Sequence, residues 1–274
     1  MSEYDARAFD AYEAAGWDAI AGEYDALWSE YTSQAVDPLL DAADVRSGMR
    51  VLDIGTGSGH AAAQAAARGA EATGIDVAAA MVEIATRNHP EPTFVQASAT
   101  QLPFPDASFD AVVGNIVIQH IGEPERAASE SARVLTPQGR ISLSTWDGPE
   151  HSPFFAVLLG AVGDAEIPPP TEVPPGPSFV QFADPSAFSA LLEGAGFTEV
   201  TVGSAEVSFP IRSANEMVRA LAEGTVRTGA LVRAADDAQL RRVHESLAAR
   251  LEPWRRGDSY VVPASVRIAS GRKS

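Results

Sequence analysis

The chain has 274 residues, no cysteine and a formal net charge of −17. The lack of thiols excludes disulfides, thiolate nucleophiles and cysteine-ligated zinc, and so acidic a surface repels nucleic acid phosphates and anionic lipid heads. Apolar residues make up 45% and charged residues 21%, the balance of a globular protein with one large domain or a core plus a smaller cap.

No stretch approaches the roughly 18 uninterrupted apolar residues of a membrane span. Residues 1–10 carry acids and no apolar run, so no signal peptide is expected and the cytoplasm is the expected compartment. Over residues 1–43, Trp17, Ile20, Tyr24, Leu27 and Trp28 recur at helical spacing, which predicts an N-terminal helical lid segment.

From residue 49 to 146 short apolar runs alternate with helical patterns. Strands are expected over 50–54, 71–75, 93–96, 109–115 and 140–146. Helices are expected over 59–68, 78–87 and 124–135, the last with Pro124 in its first turn. This alternation predicts a mostly parallel sheet with helices on both faces, a Rossmann-like α/β fold. A proline-rich stretch near 168–177 reads equally as a plain connector or as a lid hinge. Asp184-Pro185 starts a helix that stops at Gly194 and Gly196. A strand follows over 198–209, helices over 213–253 and a closing strand over 260–268. The expected organisation is a core of 44–212 plus 257–274 with a helical cap inserted at 213–256.

The segment Val51-Leu52-Asp53-Ile54-Gly55-Thr56-Gly57-Ser58-Gly59-His60 is the most informative. An apolar strand ends in an acid, glycines fall at alternate positions, and a helix begins. Glycine lets a loop turn sharply and lets a ligand lie against the backbone, and the helix N-terminus offers free N–H donors. A dinucleotide fingerprint needs its third glycine one residue later, where His60 stands. A carboxylate at Asp53 suits a ligand with an ammonium group better than a pyrophosphate. Asp76, 76 − 55 = 21 positions after Gly55, stands at the end of the next strand, where a carboxylate can accept both hydroxyls of a ribose. Met81 follows on the next helix and could cover an adenine.

With these residues the chain resembles the class I S-adenosylmethionine-dependent methyltransferases, in the branch of the ubiquinone and menaquinone biosynthesis enzymes. Further matching text is Gly74-Ile75-Asp76, the run Leu102-Pro103-Phe104-Pro105-Asp106-Ala107-Ser108-Phe109-Asp110, Gln119-His120, and Arg133-Val134-Leu135-Thr136-Pro137-Gln138-Gly139-Arg140. The resemblance implies a seven-stranded sheet with an antiparallel edge hairpin. It implies that Asp53 and the backbone of Gly55, Thr56, Gly57 and Gly59 hold the methionine end of S-adenosyl-L-methionine. It further implies Asp76 on the ribose, Val77, Met81, Ala99 and Thr100 around the adenine, and the Asn115 carbonyl on the amino group. The product would be S-adenosyl-L-homocysteine. Many relatives carry an acid where this chain has Ser98, and a neutral contact is the weaker kind.

Methyl transfer needs alignment above all, and an oxygen or nitrogen acceptor can also need a base. Of the five histidines, His120 stands just past the fourth strand, where ligands bind in open α/β sheets, and His151 stands in the lid region. Both are candidate catalytic or substrate-facing residues. Tyr24, Trp28 and Trp146 are candidate walls for a small apolar or aromatic acceptor. Asn115-Ile116-Val117-Ile118 lacks the Asn/Asp-Pro-Pro-aromatic text of nucleobase amino-methyltransferases. No metal site is expected. The alternatives are a methyltransferase-like protein acting as a cyclase or non-catalytic module, and a nicotinamide-dependent oxidoreductase.

Overall fold

The computed structural model describes residues 4–274. Strands β1 (Arg50–Ile54), β2 (Glu71–Asp76), β3 (Thr93–Gln96), β4 (Phe109–Gly114), β5 (Leu135–Trp146), β6 (Phe197–Ile211), β7 (Arg255–Arg256) and β8 (Ser259–Lys273) form one sheet. Its order is β3-β2-β1-β4-β5-β8-β6, with β7 paired to β8 off this path. The first five strands are parallel, and β8 runs antiparallel between β5 and β6. Eight strands stand where seven were expected. The extra one is the two-residue β7, too short to leave a periodic signal.

Helices α1 (Ala6–Leu27), α2 (Ser29–Ser33) and α3 (Val36–Ala42) precede the sheet. Helices α4 (His60–Ala67), α5 (Ala79–Asn88), α6 (Pro124–Val134), α7 (Pro153–Asp164) and α8 (Pro185–Gly194) connect its strands. Helices α9 (Ala214–Gly224), α10 (Arg227–Arg233) and α11 (Asp237–Leu251) lie between β6 and β7. Caps explain several starts. The Asp5 carboxylate accepts from the backbone of Arg7 and Ala8 ahead of α1, and Asp236 and Gln239 form a reciprocal capping box at α11.

The strand pleat splits the core into two faces. Val51, Ala111 and Val113 pack with Leu39, Ala62 and Ala65 on one face, while Leu52, Val112 and Ile141 pack with Ala127, Phe188 and Leu192 on the other. The first cluster runs on without a break into Met217, Leu221 and Leu247, so the helices between β6 and β7 share the core of the sheet. Among the described residues no helix is long and apolar enough to cross a membrane.

Candidate active site

The chain leaves β1 through three glycines in the left-handed region, Gly55 (φ 62°), Gly57 (φ 53°) and Gly59 (φ 92°), a conformation that side chains other than glycine's adopt at a cost. A Cβ at Gly55 would also collide with Val117. Gly55→Ala is therefore expected to cost about 1–3 kcal/mol of stability, read as a lower melting temperature. An unchanged melting temperature would mean that the turn has room to spare.

The loop is pinned from below by Asp53, which is 1% exposed. Its Oδ2 accepts from the Thr56 hydroxyl (2.6 Å) and from the Ala62 N–H (3.1 Å). Its Oδ1 is sealed from water and has no hydrogen-bond partner among the described residues. Burial pushes the Asp53 carboxyl up to about 7, against the two hydrogen bonds and with a contribution from the charge of Asp76. An orphaned buried carboxylate oxygen is costly unless a donor or cation reaches it.

Asp76 ends β2 and ties two loops together. Its Oδ2 accepts from the Gly57 N–H (2.9 Å) and its Oδ1 from the Ala78 N–H (3.0 Å). Burial raises this carboxyl too, against the pull of the Ala78, Gly57 and Val77 amides. After β3, the Ser98 hydroxyl accepts from the Thr100 N–H (3.2 Å) and lies 2.9 Å from the Thr100 hydroxyl. After β4, Asn115 donates to the Thr32 carbonyl (2.9 Å) and accepts from the Ser144 hydroxyl (2.9 Å). Ile116 then turns through φ 53°, a strained conformation for a β-branched residue. Its N–H donates to Ser144 and its carbonyl accepts from Gln119.

These strand ends converge on one cleft of about 490 Å³, within the range of small-molecule sites. Gly55, Gly57, Asp76, Val77, Met81, Ser98, Ala99, Thr100 and Asn115 line it, as do Tyr24, Trp28, Trp146 and His120. Asp53, Thr56 and Gly59 do not line it. The Thr56 side chain turns down to Asp53, and Gly59 caps α4 with Ala85, His89 and Phe94 packed 3.0 Å from where a Cβ would stand. His151 also lies outside, and its expected meeting with the acceptor is corrected. It lines a neighbouring cavity with Glu150, Asp184 and Arg267, because it falls in the turn after β5 that leads away to α7. The proline-rich segment does reach the cleft, through Ser178, Phe179 and Val180.

Sequence reasoning missed a charged cluster in the cleft wall. Glu13 of α1 is 2% exposed. Its Oε2 accepts from the Trp17 indole N–H (2.9 Å) and lies 2.9 Å from His120 Nδ1. Arg227 of α10 sets its Nε 2.9 Å from Glu13 Oε1 as an ion pair. It also donates to the Gln119 carbonyl (2.8 Å) and lies over the rings of Phe9 and Phe179. One local signal was available: Phe9, Glu13 and Trp17 stand four apart, so the carboxylate shares a helix face with aromatics.

A family model described as a methyltransferase domain matches residues 52–143. The chain is 35% identical over 154 residues to the demethylmenaquinone methyltransferase of Beutenbergia cavernae, covering 54% of this chain and 64% of that protein. It is 33% identical over 181 residues to the demethylmenaquinone methyltransferase of Thermus thermophilus, covering 60% of this chain and 80% of that one. The fold matches the YcgJ protein of Bacillus subtilis (TM-score 0.53, 23% identity, 88% of this chain and 98% of that chain). It also matches the [4+2]-cyclase SpnF (TM-score 0.55, 19% identity, 94% of each chain). The chain belongs to the class I S-adenosylmethionine-dependent methyltransferases. The chain spans just under two thirds of the length of the first of these relatives.

Proposed function

We propose that this cleft binds S-adenosyl-L-methionine across the ends of β1, β2, β3 and β4 and transfers its methyl group to a small apolar or aromatic acceptor. The observation that carries the reading is the make-up of the cleft: the glycine turn, Asp76, Met81, residues 97–100 and Asn115 line it together with the apolar and aromatic side chains of Trp17, Tyr24, Trp28, Trp146, Phe155 and Leu221.

The residues present fit the cofactor. Asp53 is set back from the cleft lining, and its orphaned Oδ1, beside the Thr56 hydroxyl of the glycine turn, is the acceptor that an ammonium group reaching it would need. Asp76 retains lone pairs for two ribose hydroxyls beyond its backbone bonds, and Met81 with Ala99 offers an apolar slot for adenine. When bound, the cofactor supplies an activated methyl on a sulfonium. The protein's own part is to align the acceptor, which can supply on the order of 7–11 kcal/mol, and to exclude water with the aromatic wall. The net charge of −17 supports a small metabolite over nucleic acid.

Incubation with methyl-labelled cofactor and a panel of apolar phenols, quinols and amines is expected to label at least one small product. Binding of the cofactor with label on none of the panel, together with ring closure of a polyene by the parent chain, would favour a cyclase-type role on the same fold.

A further inference from the structure

Glu13, Trp17, His120 and Arg227 come from α1, the turn after β4 and α10, and all four line the cleft. Glu13 would be pushed up by its burial. The charge and hydrogen bond of His120, the charge of Arg227 and the Trp17 N–H outweigh that and hold the carboxyl below its ordinary value. Glu13 is therefore a carboxylate, with no proton to give. Nδ1 of His120 faces the Glu13 carboxylate, so in the neutral form of the ring the hydrogen belongs on Nδ1 and the lone pair on Nε2. That atom has no partner among the described residues, and the His120 side chain is 19% exposed. Edge-on contacts with Trp17 (5.1 Å between ring centres) and Phe179 (5.8 Å) fix the plane of the ring.

We propose that His120, oriented by Glu13, is the general base that removes the proton from a hydroxyl of the acceptor, so that the cleft makes methyl ethers of phenols or enols. This rests on the methyl-transfer reading above. The O–H bond breaks and its proton passes to Nε2 of His120. The freed oxygen pair forms the new O–CH₃ bond, and the C–S bond of the sulfonium breaks, leaving its pair on a neutral thioether.

The chemistry selects a hydroxyl. An amine attacks through a lone pair it already has, whereas a phenol is a weak nucleophile until ionised. A carboxylate acceptor would enter a cleft whose other charged lining residues are Asp10, Asp76 and the already paired Glu13 and Arg227, three acids against one base. Glu13 acts through His120 and is a positioning residue.

Nitrogen-15 NMR of the parent without cofactor reads the tautomer directly. The expected result is a proton on Nδ1 of His120 and none on Nε2. In Glu13→Gln the side-chain amide can itself donate, and this preference is expected to be lost. Matched acceptors, 2-naphthol, 2-naphthylamine and 2-naphthalenethiol, test the class with methyl-labelled cofactor. The parent is expected to methylate naphthol fastest, and His120→Asn to lower kcat for naphthol at least about 100-fold with KM little changed. Both variants are expected to keep S-adenosylhomocysteine binding, which shows that the fold and the donor side are intact.

A proton on Nε2 in the parent, faster transfer to the amine, methylation of a ring carbon, an unaffected His120→Asn, or no ether at all would each overturn the proposal. Failure of the parent to bind S-adenosylhomocysteine would instead remove the methyl-transfer reading on which it rests.

Discussion

Asp76→Ala is expected to weaken S-adenosylhomocysteine binding at least about 100-fold, since two hydrogen bonds from ribose hydroxyls to a carboxylate are worth roughly 1.5–3 kcal/mol each. The carboxylate is 8% exposed and braced by the Gly57 and Ala78 amides. It thus meets a ligand without reorganising, and its loss leaves two backbone donors of the site unpaired. Asp76→Asn keeps one acceptor oxygen and is expected to fall between parent and alanine variant. Thermal melting separates the two roles. A loss of roughly 1–3 kcal/mol in the absence of ligand is expected from the two lost backbone bonds. Binding within about threefold of the parent would remove Asp76 from the ribose contact.

The second large effect concerns Asp53 and pH. Its carboxyl is raised from an ordinary 3.8 to about 7 in the folded chain. Between those values the unfolded chain has already released the proton that the folded chain retains. Raising the pH across that window therefore favours unfolding, by up to about 4 kcal/mol. Asp53→Asn cannot ionise. Its amide oxygen can still accept from Thr56 and Ala62, while its NH₂ takes the orphaned position. The melting temperature of the parent relative to Asp53→Asn is expected to fall from about pH 5 to about pH 8. Ligand binding has the opposite slope. A cation beside Asp53 favours the ionised form, so affinity for S-adenosylhomocysteine in the parent is expected to rise with pH up to about 7 and then level. Asp53→Asn is expected to bind weakly and without that slope. Parallel melting curves for the two proteins across the range would show that Asp53 is ionised throughout.

The strand ends and glycine turn proposed to hold the cofactor were legible because their signals are local. Alternating glycines, an acid at each of two strand ends and the strand–helix rhythm lie within a short stretch, and β3 matches its expected bounds residue for residue. Strand boundaries were lost where proline or glycine misled. β5 was expected to start at Arg140, but Leu135 already pairs with Phe109, and Thr136 to Gly139 loop out before pairing resumes at Arg140, with Gln138 in the left-handed region. β6 runs on through Pro210, tolerated because β6 is an edge strand. β8 contains Pro263 where it pairs with β6 alone.

The aromatic lining proposed to face the acceptor was legible only in part. Tyr24, Trp28 and Trp146 reached the cleft because aromatics at helical spacing must be buried somewhere. Glu13 and Arg227 are 227 − 13 = 214 positions apart. Each reads in isolation as a solvated charge on an amphipathic helix, and only the packing of α1 against α9 and α10 brings them together. Of His120 and His151, the first, just past the fourth strand where ligands bind in open α/β sheets, was the better-placed candidate. The turn after β4 points the first into the cleft, and the turn after β5 takes the second outside it.

The central claim, that the glycine turn and the two strand-end acids form a site for S-adenosylmethionine, is tested most directly by calorimetric titration of the parent chain with S-adenosylhomocysteine and, separately, with NADH. The account predicts one-to-one micromolar binding of S-adenosylhomocysteine and none of NADH. Binding of NADH, with no heat from S-adenosylhomocysteine, would contradict it.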